Sequence, residues 1–307
     1  MPNEMSNLID RPPAEEDDYA AYAAALQWIR VGRMKSVFLQ DANSLVVRTP
    51  DLVDILMHLT TRFPHIERVT SYARSQTVAA KTESDVRALR EAGLDRLHLG
   101  LESGCDEVLK AVHKGVTKQQ HIDAGLKVKA ANIELSEYIM PGLGGQSLSR
   151  VHALETADVL NRVNPDFIRI RTLAVHPRTP LFEECQSGSF SRCSDLMIVR
   201  ELLTLIENLS GITSVVLSDH ILNLFEDLEG KLPEDKEHLL NVLESFLTMP
   251  PEQRMFYQVG RRLGIVRRLC DLDNPHKTTA VSEAVEALEI TPENVDDVTQ
   301  ALMARYL

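Results

Sequence analysis

From residue 36 to residue 175 the chain alternates two hydrophobic patterns. Short runs rich in leucine, β-branched and aromatic residues (SVFLQD, ERVTSYA, DRLHLGLES, IELSEYIM and FIRIRTLAV) read as strands. Between them, the segments near PDLVDILMHLTTRF, ESDVRALREAG, DEVLKAV and SRVHALETADVLNRV carry the three-and-four spacing of amphipathic helices. A further helix is opened by Thr117 with Gln120 at capping-box spacing. Strands joined this way need helical crossovers and therefore lie parallel, so the fold class is α/β, either a doubly wound sheet or a barrel.

The flanks read differently. Residues 1–13 hold adjacent prolines and no apolar period, a poorly ordered lead-in. Over residues 14–33 four acids in the first turn and Arg30 and Arg33 in the last mark a helix. ITSVVLSDH is a candidate last strand, which sets the barrel-like domain at 14–222. Residues 223–307 read as a helical C-terminal extension with a helix start at Thr291-Pro292-Glu293.

Composition narrows the class. With 44% hydrophobic and 25% charged residues the chain is that of an ordinary globular protein, and no run approaches the roughly 20 apolar residues of a spanning helix. The acidic N-terminus has no basic start or apolar core, so the expectation is a cytoplasmic protein without a membrane partner. Lys and Arg number 33 against 45 Asp and Glu, and a net charge of −12 argues against nucleic acid as a partner. The four cysteines, Cys105, Cys185, Cys193 and Cys270, form no CxxC pair and are expected to be free thiols.

The strand ends concentrate the candidate chemistry. Read to their C-terminal ends, the five strands deliver Asp41 with Asn43, Ser71 to Arg74, Glu102 with Ser103, the glycine turn Pro141–Gly145, and Arg169 with Arg171. In parallel α/β folds that rim is where sites are built. Glycines in the turn would let backbone approach a ligand with free N–H groups facing it. Arg74, Arg169 and Arg171 offer forks for a carboxylate, or else internal ion pairs. His98 and His176 lie near strand ends without metal-ligand spacing, so no metal site is read from them.

Taken together, LGLESGCDEVLKAVHKGVT and the following YIMPGLGGQS resemble the radical S-adenosylmethionine (SAM) superfamily. The first segment is similar to the family strand whose polar end holds the ribose and methionine parts of SAM, here Glu102 and Ser103. The second is similar to its GxIxGxxG turn for adenine: Gly142 and Gly145 match the last two glycines, Met140 the isoleucine, and Tyr138 stands where the first glycine would be. FLQDANSL is similar to the strand whose end contacts the SAM amino group, with Asp41 or Asn43 in place of Gly-Gly-Glu. IRIRTLAVHPRTPLFEE is similar to the sixth strand and following loop of oxygen-independent coproporphyrinogen oxidase-like and cobalamin-type members. The resemblance spans roughly residues 30–190 and implies a partial TIM-like (β/α) barrel. It further implies SAM held by Asp41, Asn43, Ser71, Arg74, Glu102, Ser103, Met140, Gly142, Gly145 and Arg171. A [4Fe–4S] cluster, an electron donor and a small-molecule substrate complete the expected set.

One departure is sharp. The family's CxxxCxxC precedes the strand matched by FLQDANSL, and the chain has no cysteine before Cys105. Two accounts stay open. In the expected one the chain is the back part of a longer radical SAM enzyme, because loss of the first strand leaves SVFLQ as a bare edge that only helix 14–33 could cover. In the other it is a degenerate, cluster-free SAM-binding or partner protein. The spacing of Cys105, Cys185 and Cys193 matches no iron–sulfur pattern. A third reading, an unrelated hydrolase or lyase using Glu102 and Asp41, requires no reductant.

Overall fold

The computed structural model describes residues 16–31 and 35–304, so the lead-in over residues 1–13 lies outside the described residues. The N-terminal helix runs over Glu16–Val31 (α1). Then follow β1 (Ser36–Leu39), α2 (Thr49–Arg62), β2 (Arg68–Ala73), α3 (Ser75–Ala80), α4 (Glu83–Glu91), β3 (Arg96–Glu102), α5 (Asp106–Ala111) and α6 (Lys118–Ala130). The chain continues through β4 (Glu134–Ile139), α7 (Gly145–Val163), β5 (Phe167–Ile170), α8 (Pro180–Ser187), α9 (Asp195–Glu207), β6 (Val215–Leu217) and β7 (Gly230–Lys231). It ends in α10 (Lys236–Thr248), α11 (Pro251–Arg262), α12 (Pro275–Ala287) and α13 (Val295–Met303). No helix among the described residues is long and apolar enough to cross a membrane.

Among the described residues the strands form one seven-stranded sheet in chain order. β1 to β6 are parallel and β7 is antiparallel to β6. The sheet does not close, and β1 and β7 are its edges. The fold is thus an α/β partial barrel. None of the side chains of α1 whose burial is described, residues 19–27, is buried.

Alternation along each strand sorts the residues between two faces. Val69, Ala73, Leu97, Leu99, Leu101, Leu135, Ile139, Ile168, Ile170 and Val216 face the helices and form the core. Residues of opposite parity, Phe38, Tyr72, His98, Tyr138, Arg169 and Arg171, share the other face. The rings of Tyr72 on β2 and Tyr138 on β4 approach to 6.3 Å with β3 between them. Arg96 on β3 reaches over Phe167 on β5 at 4.5 Å. Neighbouring strands stand about 4.8 Å apart, so side chains that meet across a third strand lean together, as on the inside of a curved sheet.

Helix starts follow local chemistry. Thr117 N–H donates to Gln120 Oε1 at 2.9 Å and Gln120 N–H donates to Thr117 Oγ1 at 3.3 Å, the expected capping box of α6. Near the C-terminus the expected start shifts: residues 291–294 form a turn in which Thr291 N–H donates to Asn294 Oδ1, and the helix begins at Val295. The C-terminal region is also not purely helical, since Gly230–Lys231 extends the sheet. Nor does it fold as a separate body. Phe225, Phe246 and Tyr257 pack ring to ring within the same core cluster as the barrel leucines. A buried Arg262–Asp195 ion pair at 2.7 Å ties α11 to the first turn of α9.

Candidate functional site

β3 ends with an irregularity between Gly100 and Glu102, and Glu102 adopts φ +59. A left-handed glutamate is strained, and such outliers concentrate at functional sites. The turn aims its backbone carbonyl at two donors, Met140 N–H at 3.0 Å and His152 Nε2 at 3.2 Å. Its carboxylate is ion-paired with Lys114, from the loop after α5. Ser103, beside it, is fully buried, and its hydroxyl accepts Cys105 N–H at 3.0 Å.

Asn43 joins two strand ends. Its Oδ1 accepts Arg74 N–H at 3.0 Å and its Nδ2 donates to Thr77 Oγ1 at 2.9 Å, which pins the loop after β1 to the start of α3. Asp41 and Arg74 are exposed on the same rim. Ser71 lies apart from this group. It has the parity of Val69 and Ala73, is fully buried toward the helices, and donates to Tyr72 O at 3.1 Å.

The glycine turn differs from the sequence expectation of free N–H groups. Gly142, at φ +88, donates its N–H to Glu201 Oε1 at 2.7 Å, and Gly145, at φ +59, donates to Gly142 O at 3.0 Å. A Cβ on Gly145 would stand 2.9 Å from Ser191 O and 3.0 Å from the Phe190 ring. The first N–H of α7 beyond it, Gln146, donates to Ser191 O at 2.9 Å. The segment after α8 therefore covers this turn. Met140 packs beside it with Cys105, Val108, Leu143 and Leu173.

Glu201, on α9, carries no sequence signal as a site residue, yet it organises this region. Almost wholly buried, it accepts Gly142 N–H and the Ser149 hydroxyl, and its Oε1 lies 3.2 Å from His152 Nδ1. His152 in turn touches the Glu102 carbonyl through Nε2. One buried carboxylate thus fixes the glycine turn and stands beside the histidine that contacts the end of β3.

The concave face holds three buried polar atoms that lack partners. His98 Nδ1, Ser136 Oγ and Arg169 Nε are buried there without a hydrogen-bond partner. Burial, followed by Arg169, Arg96 and Arg171, pushes His98 down to about 4, so its ring is neutral near pH 7. Phe38, Tyr72, His98 and Tyr138 form a continuous set of ring contacts with centroids 4.8 to 5.8 Å apart between neighbours. Arg171 lies 4.8 Å over the Tyr138 ring. Burial and the adjacent Tyr72 hydroxyl hold the Tyr138 phenol above its ordinary range. Both Arg169 and Arg171 bond to Asp219, the internal ion pair that is one of the two readings of these arginines. Strand parity identifies Tyr72 and Tyr138 as facing residues, whereas Asp219 lies in an irregular segment with no pattern to announce it.

A cavity of about 270 Å3 lies where residues 173–177 meet α13, lined among others by Val175, Phe182, Arg192, Ile198 and Asp296. Burial first, then Asp195 and Asp297, raises the Asp296 carboxyl.

An iron–sulfur cluster does not fit the thiols present. Cys105 and Cys193 are buried in different apolar clusters, Cys185 contacts Arg192 Nε at 3.3 Å, and Cys270 is exposed. Burial, followed by Glu201, pushes the Cys193 thiol up to about 12, which keeps it protonated and unsuited to ligation. Among the described residues no group of three or more His, Cys, Asp or Glu could hold a metal ion.

Residues 7–157 match the family model of the Radical SAM superfamily. A tRNA uridine(34) acetyltransferase of Methanocaldococcus infernus is 26% identical over 110 residues, 36% of this chain and 21% of that protein. An uncharacterized methyltransferase of Pyrococcus horikoshii is 26% identical over 113 residues, 37% of this chain and 24% of that protein. The chain spans about a quarter or less of the length of these curated relatives. In fold it is similar to the structure of the archaeal Methanocaldococcus infernus Elp3 with an N-terminal deletion. That likeness has a TM-score of 0.50 at 16% identity and covers 73% of this chain and 57% of that one.

Proposed function

We propose, for a chain that belongs to the radical SAM superfamily, that it supplies the SAM- and substrate-holding barrel of a radical SAM enzyme. The observation that carries this reading is the concave face, where His98 Nδ1, Ser136 Oγ and Arg169 Nε are buried without partners beside a row of rings. Buried polar atoms of this kind are ordinarily satisfied by a ligand or by water. Glu102, Asn43 and Arg74 on the rim are the residues that would hold SAM. Ser103, Met140 and Glu201 shape the turns that carry them.

A [4Fe–4S] cluster, were one bound, would supply the electron for reductive SAM chemistry, with an electron donor as partner. Among the described residues no three cysteines group to hold that cluster. What these residues can do is bind, orient and shield. Hydrogen-bond donors set in a concave apolar wall fix a sulfonium nucleoside against a substrate and exclude water from both. The net charge of −12 weighs against RNA as substrate, and the name of one relative, a tRNA uridine(34) acetyltransferase, weighs for it.

Calorimetric titration of SAM into the full chain tests the reading. The native protein should bind, and Glu102→Ala should bind about tenfold more weakly with its fold intact, as for loss of a charge-assisted contact. Native and variant chains that bind SAM alike, or that both fail to bind, would remove the rim carboxylate from the account.

A further inference from the structure

Arg169 and Arg171 stand two residues apart around the end of β5 and so share the concave face. A single carboxylate takes both. Arg171 donates to Asp219 Oδ1 at 2.7 Å, and Arg169 donates to Oδ2. The partners differ in setting: the arginine side chains are 17% and 23% exposed, whereas that of Asp219 is 38% exposed. Asp219 belongs to no strand. It lies two residues beyond the end of β6, in an irregular segment.

Charge on this face is unbalanced. Arg96 is matched by Glu134 at 2.8 Å, but Arg169 and Arg171 share one aspartate, which leaves a positive charge in a protein of net −12. Arg169 Nε, Ser136 Oγ and His98 Nδ1 lie buried beside it with bonds still to make. The rings of Tyr72, His98 and Tyr138 run alongside, and Arg171 already rests on one of them.

We propose that Asp219 is an internal stand-in for a ligand anion: a phosphate or carboxylate borne on a planar ring displaces it. The anion takes Arg169 and Arg171, and the ring lies along Tyr72, His98 and Tyr138. This inference rests on the concave face being the substrate site and names the substrate class for it; it does not require SAM to bind. Paired guanidinium forks suit either anion, and stacking on tyrosine and histidine rings suits any flat partner. The Asp219 side chain is 38% exposed, so its ion pair is partly screened by water and rotation of that side chain can release the arginines.

Equilibrium dialysis of the full chain tests the proposal. The probes are uridine 5′-monophosphate and nicotinate for ring-borne phosphate and carboxylate, with uridine and inorganic phosphate for ring and anion alone. Asp219→Asn should bind one of the ring-borne anions about fivefold more tightly than the native chain, because the competing carboxylate is gone. Arg171→Gln should bind it about tenfold more weakly. The responding probe tells phosphate from carboxylate, and its separated halves should bind less tightly than the whole. Asp219→Ser serves as a second variant, with circular dichroism confirming that each chain is folded. Equal binding by native and both Asp219 variants, or no binding of any probe, overturns the proposal, since a purely structural ion pair predicts no gain. A SAM titration on the same protein separates the two readings: tighter anion binding without SAM binding keeps this subsite and removes the SAM assignment, and the reverse result removes only the subsite.

Discussion

At the scale of single residues, Glu102 and Glu137 show how a strand divides its labour. Glu102 ends β3 on the rim, paired with Lys114. Glu137 lies on β4 with helix-facing parity and is fully buried. Burial pushes its carboxyl from 4.5 up to about 8, against the opposing effects of Leu101 N–H and Lys114. Between those values the folded chain keeps a proton that the unfolded chain has released, so stability falls as pH rises through that window and levels off above it. Glu137→Gln should abolish the fall. Urea denaturation at about pH 5 and about pH 9 should show the native chain losing stability relative to the variant, and parallel behaviour would contradict the burial argument. Glu201 permits a second test. Glu201→Leu leaves Gly142 N–H, the Ser149 hydroxyl and His152 Nδ1 facing an apolar group and should cost about 3 kcal/mol, against about 1 for Glu201→Gln. Equal losses in urea would show that the buried bonds do not matter. Neither role was legible in the sequence. A glutamate inside an amphipathic run looks solvent-facing until the neighbouring strand or helix is placed.

At the scale of elements, the strands and crossover helices were legible because period-two and period-3.6 patterns are local, and the capping box at Thr117 marked its helix to the residue. What a strand end does is less local. Ser71 and Tyr72 are adjacent, yet one faces the helices and the other the concave face, and only the register decides which. The same parity accounts for Tyr138. It stands where the family pattern has glycine and fills the concave face with a ring packed against His98 and Arg171. The glycine turn was legible as a turn, but its covering by Phe190 and Ser191 depends on a segment some 45 residues downstream. Gly104 is the tightest junction between elements. An added Cβ would run into the backbone of Glu155 on α7. Gly104→Ala should therefore cost about 3 kcal/mol in urea denaturation, and a loss near zero would mean that α7 can move away from the end of β3.

At the scale of the whole molecule, one core continues from the sheet into α10 to α12, so the helices after residue 223 stabilise the barrel rather than hang from it. The cysteines are free thiols on different elements, and among the described residues they join no group of three that could hold a metal ion. Anaerobic reconstitution with iron and sulfide should accordingly leave the chain without a stoichiometric cluster, as read by iron content and visible absorbance; four bound irons would overturn the donor-set argument. On the proposed reading, the concave face and its rim are where the chain holds its ligand. Hydrogen–deuterium exchange of the full chain with and without saturating SAM tests it most directly. The account predicts added protection over residues 100–104, 138–145 and 169–173, with the helix-facing backbone unchanged. Protection confined to other segments, or none at all, would contradict it.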